Sequence, residues 1–177
     1  SQPGVDAKDG DFLLAVDGVP LDIQVDPWAP FVGKADATVT LTLSDKPSLD
    51  ESARKVLVKP VASDSDLRYR AWVEWNRSKV EKATGGKVGY IHVPDTGVNG
   101  QNNLFRQFYG QIAKPALIID ERWNSGGQIP TRFIELLRRP ATNFWTVRDS
   151  KPYVWPPDSH QGPMCMLINQ RAGSGGD

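Results

Sequence analysis

The first third of the chain alternates short apolar runs with polar turn residues, a pattern that is typical of small antiparallel strands. The runs over 12–16 and 56–58 are rich in leucine and valine, and threonine alternates with apolar residues over 38–43. The pair Asp17-Gly18 directly follows the first run and favours a tight hairpin turn. Residues 1–62 are therefore predicted to form a β-rich module with one exposed face.

From about residue 67 onward, the hydrophobic period changes repeatedly between that of helices and that of buried strands. The predicted order is helix 67–82, strand 88–94, helix 104–112, strand 116–120, a helix that is entered near Pro130 and Thr131 and ended by Pro140, and strand 163–169. This alternation predicts parallel βαβ units, in which functional sites form at the carboxyl ends of the strands. Residues 141–162 contain aromatic residues and prolines without a clear period.

The chain is thus predicted to have two domains with a helix between them. Residues 63–85 are predicted to be this linker helix, because a polar stretch precedes it and Gly85-Gly86 ends it. Residues 86–177 are predicted to be an α/β core, with a loop over 95–102. The linker helix is expected to carry an apolar stripe formed by Leu67, Trp72, Trp75 and Val80.

Composition and charge narrow the range of partners. Hydrophobic residues make up 39% and charged residues 24%, which is ordinary for a globular protein. The 21 basic and 21 acidic residues cancel, so neither a nucleic-acid-binding face nor a polybasic membrane patch is indicated. No apolar run is long enough to span a bilayer. We therefore expect no nucleic-acid partner and no membrane partner.

The single cysteine, Cys165, lies inside the apolar run 163–169 and is expected to be a small core residue. One cysteine excludes an internal disulfide framework, which fits a reducing compartment such as the cytoplasm. Both ends of the chain look cut, so we expect a segment of a longer protein. No cluster of histidine, cysteine or aspartate has metal-ligand spacing. Gly126-Gly127 is not followed by the Lys-Ser or Lys-Thr pair of a Walker motif. No cofactor or metal is expected.

The last seven residues form a glycine-rich turn that directly follows the predicted strand 163–169. Such a turn at the carboxyl end of a strand would expose Ser174 and leave backbone N–H donors free around it. A helix after the turn would add a positive end near the serine. In isolation, however, a Gly-Ser-Gly-Gly sequence is more typical of an ordinary loop.

A second glycine-rich turn, over 122–127, directly follows the predicted strand 116–120. If the two strands are neighbours, N–H groups from Gly126 or Gly127 and from Gly175 could point at one oxygen atom. That is the donor pair of an oxyanion hole, in which one donor contributes about 3–4 kcal/mol to lowering the barrier. The two turns together therefore favour acyl-transfer chemistry.

The N-terminal module has a resemblance of its own. Pro3-Gly4-Val5, Asp9-Gly10-Asp11, a strand and then Asp17-Gly18 resemble the centre of a bacterial or archaeal PDZ domain. Such domains bind extended peptides by adding a strand to a sheet edge. The strand and carboxylate-binding loop that should precede Pro3 are absent from the chain, so the PDZ-like module is expected to lack its start.

Three segments are much more specific together than alone: GKVGYIHVPD at 86–95, IIDERWNSGG at 118–127 and NQRAGSGGD at 169–177. In this order, after a PDZ-like module, they resemble the tricorn protease family, which is part of the tail-specific, or carboxyl-terminal processing, serine peptidases. The resemblance covers essentially the whole chain. It implies an α/β fold, with a truncated PDZ-like module followed by part of a crotonase- or ClpP-like βα core.

The resemblance also implies a mechanism. Ser174 would be the nucleophile, and Gly126 or Gly127 together with Gly175 would supply the oxyanion donors. The general base would be a histidine upstream of the PDZ domain or, as in the tail-specific branch, a lysine that follows Ser174. A downstream glutamate would help to orient the triad. This segment alone is therefore expected to be inactive. The resemblance further implies peptide substrates and assembly as a homo-oligomer.

The base expected from the resemblance lies elsewhere, and the chain's own titratable residues are weaker candidates. His92 lies within an apolar strand and is expected to be a core residue, whereas His160 lies in a proline-rich loop and is expected to be exposed. Asp120 and Glu121 are expected to orient the glycine-rich loop or to pair with Arg122 rather than to exchange protons. Tryptophans 123, 145 and 155 are more typical of packing than of a substrate cleft.

Three functions remain open from the sequence. The first is a serine peptidase that forms an acyl-enzyme on Ser174. The second is a non-catalytic PDZ-type module that binds peptides, with the core as a scaffold. The third is a crotonase-type acyl-CoA enzyme, which would share the oxyanion geometry without a serine nucleophile. Labelling by a fluorophosphonate, lost in Ser174→Ala, would distinguish the first from the other two.

Overall fold

The computed structural model describes residues 3–176 and has an α/β fold. The chain separates into two compact units, Ser1–Asp66 and Leu67–Asp177. None of the helices among the described residues combines the length and apolarity that a membrane crossing requires.

The first unit contains a four-stranded antiparallel sheet in the order β2-β1-β3-β4. Its strands are β1 (Phe12–Val16), β2 (Val19–Pro20), β3 (Val39–Ser44) and β4 (Arg54–Val58). Asp17 and Gly18 both have positive φ, 50° and 80°, and they join β1 to β2 as the predicted two-residue hairpin. Burial along β3 does not follow the alternation of apolar residues and threonines, because Thr42 and Leu43 are both 5% exposed. As an inner strand with neighbours on both edges, β3 is covered more fully than an edge strand.

The described chain from residue 65 onward contains three α-helices and five strands. In chain order they are α1 (Ser65–Thr84), β5 (Val88–His92), α2 (Val98–Tyr109), β6 (Ala116–Asp120), α3 (Pro130–Leu137), β7 (Asn143–Trp145), β8 (Tyr153–Trp155) and β9 (Met164–Leu167). Strands β5, β6 and β9 form a parallel sheet in that order, which confirms the predicted βαβ pattern. The register sets His92 opposite Asp120 and Asp120 opposite Leu167, so the three carboxyl ends meet at one edge.

Helices α2 and α3 supply the core that holds this sheet. Their buried residues pack with strand residues in one cluster that includes Ile91, Leu104, Phe108, Leu117, Ile119, Phe133 and Leu136. The continuous apolar sequences of β5 and β6 reflect this coverage, as is usual for parallel strands. The core therefore fixes the two strand ends from which the glycine-rich turns emerge.

Strand β9 is exposed, and the prediction of a buried strand over 163–169 is wrong in this respect. Met166 is 53% exposed and Ile168 63%, and Cys165 is exposed rather than in the core. The reason is that β9 pairs with β6 along one edge and has no second strand neighbour among the residues the structure describes.

Helix α2 begins at Val98, inside the segment that was expected to be a loop. The cause is Asp95, whose Oδ1 atom accepts hydrogen bonds from the N–H groups of Gly97 at 2.8 Å and Gly100 at 3.0 Å. These bonds satisfy donors that the first turn of a helix would otherwise leave free.

Helix α1 spans the predicted linker helix, but the expected stripe is only partly buried. Leu67 is 57% exposed and Trp75 56%, whereas Val73 is 8% exposed. Within 141–162, β7 and β8 form an antiparallel hairpin that the sequence did not indicate. Each of these strands has only three residues, which is too short to give a recognisable period.

Candidate active site

The turn that carries Ser174 is organised by the side chain of Asn169. Its Oδ1 atom accepts hydrogen bonds at 3.1 Å from the N–H groups of Arg171 and Ala172. The same atom also accepts, at 3.1 Å, the N–H of Trp123, which belongs to the turn after β6. One amide oxygen thereby ties the two glycine-rich turns together.

Ser174 opens a short 3-10 turn, Ser174–Gly176, and is exposed. Its φ is 57°, in the left-handed region that L-residues with a side chain seldom occupy. Within residues 3–176 its hydroxyl has no hydrogen-bond partner. A serine held in a strained turn after a strand has the backbone setting of a nucleophile.

Gly126 touches the serine directly. A Cβ atom at Gly126 would lie 2.6 Å from the Cβ of Ser174 and 2.8 Å from the carbonyl oxygen of Gly173. Its φ of 80° also excludes most other residues. Its N–H donates to Oδ1 of Asn124 at 2.8 Å, so this donor is already occupied.

Gly127 and Gly175 are neighbours across the two turns. A Cβ atom at Gly175 would lie 2.6 Å from the carbonyl oxygen of Gly127. Within the part of the chain that the structure describes, the N–H groups of Gly127 and Gly175 donate to no protein acceptor. Of the glycine donors expected from the sequence, these two remain available to a ligand.

Asn124, which the sequence did not single out, is fully buried behind both turns. Its Nδ2 group donates to the carbonyl oxygen of Val93 at 3.1 Å, and its Oδ1 atom accepts the N–H of Gly126. Its own carbonyl oxygen accepts the N–H of Gly173 at 3.2 Å. Asn124 therefore links the end of β5 to both turns, which are called below the oxyanion turn (122–127) and the serine turn (169–176).

Thr96 is a second buried residue that the sequence did not indicate. Its N–H donates to the carbonyl oxygen of Gly126 at 2.9 Å, and its carbonyl oxygen accepts the N–H of Ile129 at 3.0 Å. Its Oγ1 atom lies 2.8 Å from where a Cβ of Gly175 would be, and it has no partner among the described residues. Thr96 therefore also holds the oxyanion turn, through the carbonyl oxygen of Gly126.

The carboxylate of Asp120 is a structural anchor at the end of β6. It accepts hydrogen bonds from the hydroxyl of Tyr90 at 2.6 Å and from two N–H groups of the Arg122 guanidinium, at 2.9 Å from Nε and 2.6 Å from Nη2. Burial alone would raise the pKa of Asp120, but the bonds from Arg122 and Tyr90 outweigh it and lower the pKa. The expected pairing with Arg122 is confirmed. The neighbouring Glu121 is also buried, and burial raises the pKa of its carboxyl.

His92 is a core residue, as predicted. It is 3% exposed, and its ring nitrogens bond to the hydroxyl of Tyr69 at 2.9 Å and to the carbonyl oxygen of Arg122 at 3.1 Å. Because a carbonyl oxygen only accepts, Nε2 carries the proton and Nδ1 accepts from Tyr69. Burial lowers the pKa of His92, which keeps this neutral form.

His160 is buried, at 8% exposed, and the prediction of an exposed histidine is wrong. The proline-rich loop folds back on the segment after α2, where His160 Nδ1 donates to the carbonyl oxygen of Ile112 at 3.2 Å. Ser159 Oγ donates to the carbonyl oxygen of Arg139 at 2.7 Å and fixes the same loop.

No histidine among residues 3–176 hydrogen-bonds to Ser174. The described residues also contain no group of three or more His, Cys, Asp or Glu side chains placed to hold a metal ion.

Comparison with known proteins places both parts of the chain in described families. The model of the tricorn protease PDZ domain matches residues 1–63, and that of peptidase family S41 matches residues 87–177. The chain is 35% identical to the tricorn protease of Thermoplasma volcanium, over 98% of this chain and 16% of that protein. It is also 35% identical to tricorn protease homolog 1 of Streptomyces coelicolor, over 99% of this chain and 16% of that protein.

A crystal structure of the tricorn protease matches with a TM-score of 0.81 and 30% identity, covering 94% of this chain and 16% of that chain. The chain thus spans about one sixth of the length of these relatives. The S41 model covers slightly more than half of this chain and includes both glycine-rich turns. The chain belongs to peptidase family S41.

Proposed function

We propose that this chain is part of a tricorn-type serine peptidase that hydrolyses peptides through an acyl-enzyme on Ser174. The observation that carries the proposal is the contact between two turns, one with an exposed, strained serine and the other with a free N–H group. Membership of family S41 and similarity to proteins named tricorn protease support it.

The oxyanion donors in this proposal are the N–H groups of Gly127 and Gly175. Gly126 has a different role, because its N–H is bonded to Asn124 and its missing side chain makes room for Ser174. A donor of this kind contributes about 3–4 kcal/mol to stabilising the oxyanion. Asn124 and Thr96 position the donors and do not touch the substrate.

In the reaction, Ser174 Oγ bonds to the scissile carbonyl carbon while a general base takes its proton. The C–N bond then breaks, the amine leaves with a proton from the base, and water hydrolyses the ester. The two described histidines are unsuited to this task, since His92 is bonded through both ring nitrogens and His160 is buried in the proline-rich loop. The base would be a histidine upstream of the PDZ-like module, oriented by a downstream glutamate.

The proposal extends to the organisation of the protein. Residues 1–62 would be a PDZ-like domain, 63–85 a linker helix, and 86–177 the N-terminal part of the peptidase core. The whole protein would act on peptides in the cytoplasm as a homo-oligomer. This segment alone would have little or no activity, because its base and orienting carboxylate lie outside it.

Fluorophosphonate labelling of the full-length protein tests the proposal. We expect rapid labelling of the wild type, loss of labelling and peptidase activity in Ser174→Ala, and no change in Ser150→Ala. Ser150 is an exposed serine in the segment between β7 and β8 and serves as a matched control. Labelling that persists in Ser174→Ala would contradict the proposal. A wild type that binds peptides but is neither labelled nor active would instead favour the scaffold function.

A further inference from the structure

A cavity of about 400 Å³ lies at the carboxyl end of β5, beside the oxyanion turn. Its walls come from the first turns of α1, from the end of β5 and from the turn after β6. The lining residues are Arg68, Tyr69, Trp72, His92, Pro94 and Trp123. A cavity of this size is in the range of small ligand sites and is large enough for one bulky side chain.

The polar groups in this cavity are already bonded to protein atoms. The hydroxyl of Tyr69 and both ring nitrogens of His92 are used in the chain of bonds that ends at the carbonyl oxygen of Arg122. Arg68 has an interaction of its own. Burial raises the pKa of Tyr69 to about 12 and lowers that of His92, so both rings are neutral at neutral pH. The cavity therefore presents ring surfaces, which suit an apolar ligand.

The aromatic walls hold one another in place. The ring of Trp72 meets that of Trp123 edge-on, with centroids 5.5 Å apart, and meets that of His92 at 4.9 Å. The guanidinium of Arg122 lies 5.6 Å from the centre of the Trp72 ring and 5.2 Å from that of Trp123. Arg122 is paired with Asp120, so its charge is balanced, and its guanidinium packs beside both rings. The site is thus formed before a ligand binds.

The cavity is joined directly to the candidate active site. The backbone N–H of Trp123 donates to Oδ1 of Asn169 in the serine turn. The carbonyl oxygen of the next residue, Asn124, accepts the N–H of Gly173. On the other wall, the carbonyl oxygen of Pro94 accepts the N–H of Ser125 in the oxyanion turn. Trp123 has a φ of 61°, a strained conformation for a bulky residue, and such strain is concentrated at functional sites.

We propose that this cavity is a substrate subsite that binds an apolar, preferably aromatic, side chain of the peptide near the scissile bond. The inference rests on the proposed peptidase function and adds a substrate class to it. Trp72 and Trp123 form adjoining walls of the cavity and determine this specificity.

The first experiment measures kcat/KM in the full-length protein for peptides that differ only in having Phe or Ser at one position near the scissile bond. The pocket variants are Trp123→Ala and Trp72→Leu. The control is Trp145→Ala, since Trp145 is 47% exposed against 48% for Trp123 and packs against Trp155 in the β7–β8 hairpin.

At one or more positions we expect a wild-type preference for Phe, and both pocket variants should reduce it by about tenfold or more. Trp145→Ala should behave as wild type. An equal loss for Phe and Ser peptides at every position, or no change in the preference, would overturn the inference.

A second experiment separates failure of the subsite from failure of the peptidase function. Binding of N-acetylphenylalanine amide to the Ser174→Ala protein is followed by saturation-transfer NMR, with N-acetylserine amide as the comparison. We expect binding of the Phe compound alone, and its loss when Trp123→Ala is added. Equal signals for the two compounds, or Phe binding that survives Trp123→Ala, would refute the subsite even if the enzyme proves inactive.

Discussion

Asn124 illustrates at the scale of single residues what positions the candidate site. Its side-chain amide donates to the carbonyl oxygen of Val93 and accepts the N–H of Gly126. Its backbone carbonyl oxygen accepts the N–H of Gly173 and so holds the serine turn. The sequence indicated Ser174 and the glycines, because glycine-rich turns after apolar runs are recognisable. It did not indicate Asn124 or Thr96, because a polar residue in a turn is usually solvated, and only the fold reveals that these two point inward. His160 was misjudged for the same reason, since the proline-rich loop packs against Ile112.

Gly126→Ala tests the contact between the two turns. The new methyl group would lie 2.6 Å from the Cβ of Ser174, and φ of Gly126 is 80°. We expect the serine turn to shift and fluorophosphonate labelling to slow by about a hundredfold, since a displacement of about 1 Å can have this effect. The measurement is the labelling rate of the full-length variant.

The matched control for this prediction is Gly173→Ala. A methyl group there would have nothing within 4 Å, and we expect it to slow labelling far less than Gly126→Ala. Similar rates for the two variants would show that the close approach at Gly126 is unimportant.

The burial of His92 predicts a pH dependence of stability. Burial lowers its pKa in the folded state, so the unfolded chain binds the proton more readily. The stability contributed by neutral His92 is complete above the unfolded pKa of about 6.5 and is lost as the pH falls towards the lowered folded pKa. His92→Gln keeps hydrogen-bonding groups but does not titrate. We expect the urea midpoint of wild type to fall more steeply than that of the variant between neutral pH and about pH 5, and parallel curves would contradict this.

At the scale of secondary-structure elements, the parallel sheet was predictable because β5 and β6 are continuous apolar runs covered by helices. The exposure of β9 was not predictable, since an apolar run does not reveal whether other elements cover it. The start of α2 was missed because it depends on one side chain, that of Asp95. The β7–β8 hairpin is too short for its period to be read.

Gly100→Ala tests the start of α2. A Cβ atom at Gly100 would clash with the carbonyl group of Asp95 and lie 2.8 Å from its Oδ1 atom. We expect a loss of about 1–3 kcal/mol in the free energy of unfolding, which is typical of overpacking. Gly110→Ala, at the other end of the helix, is the control, because its methyl group would meet no atom closer than 3.4 Å. Urea unfolding of both variants measures the difference, and equal midpoints would argue against the Asp95 cap.

At the scale of the whole molecule, the chain contains the proposed nucleophile and oxyanion donors but no histidine bonded to Ser174 within residues 3–176. It spans 16% of the tricorn protease of Thermoplasma volcanium, so most of such a protein lies beyond it. We therefore expect the activation of Ser174 to depend on parts of the full-length protein outside this segment.

Mass-spectrometric mapping of the fluorophosphonate adduct in the active full-length protein tests the central claim most directly. The account predicts one dominant adduct, on the hydroxyl oxygen of Ser174, formed in step with the loss of peptidase activity. An adduct on another residue, or complete inhibition while Ser174 remains unmodified, would contradict it.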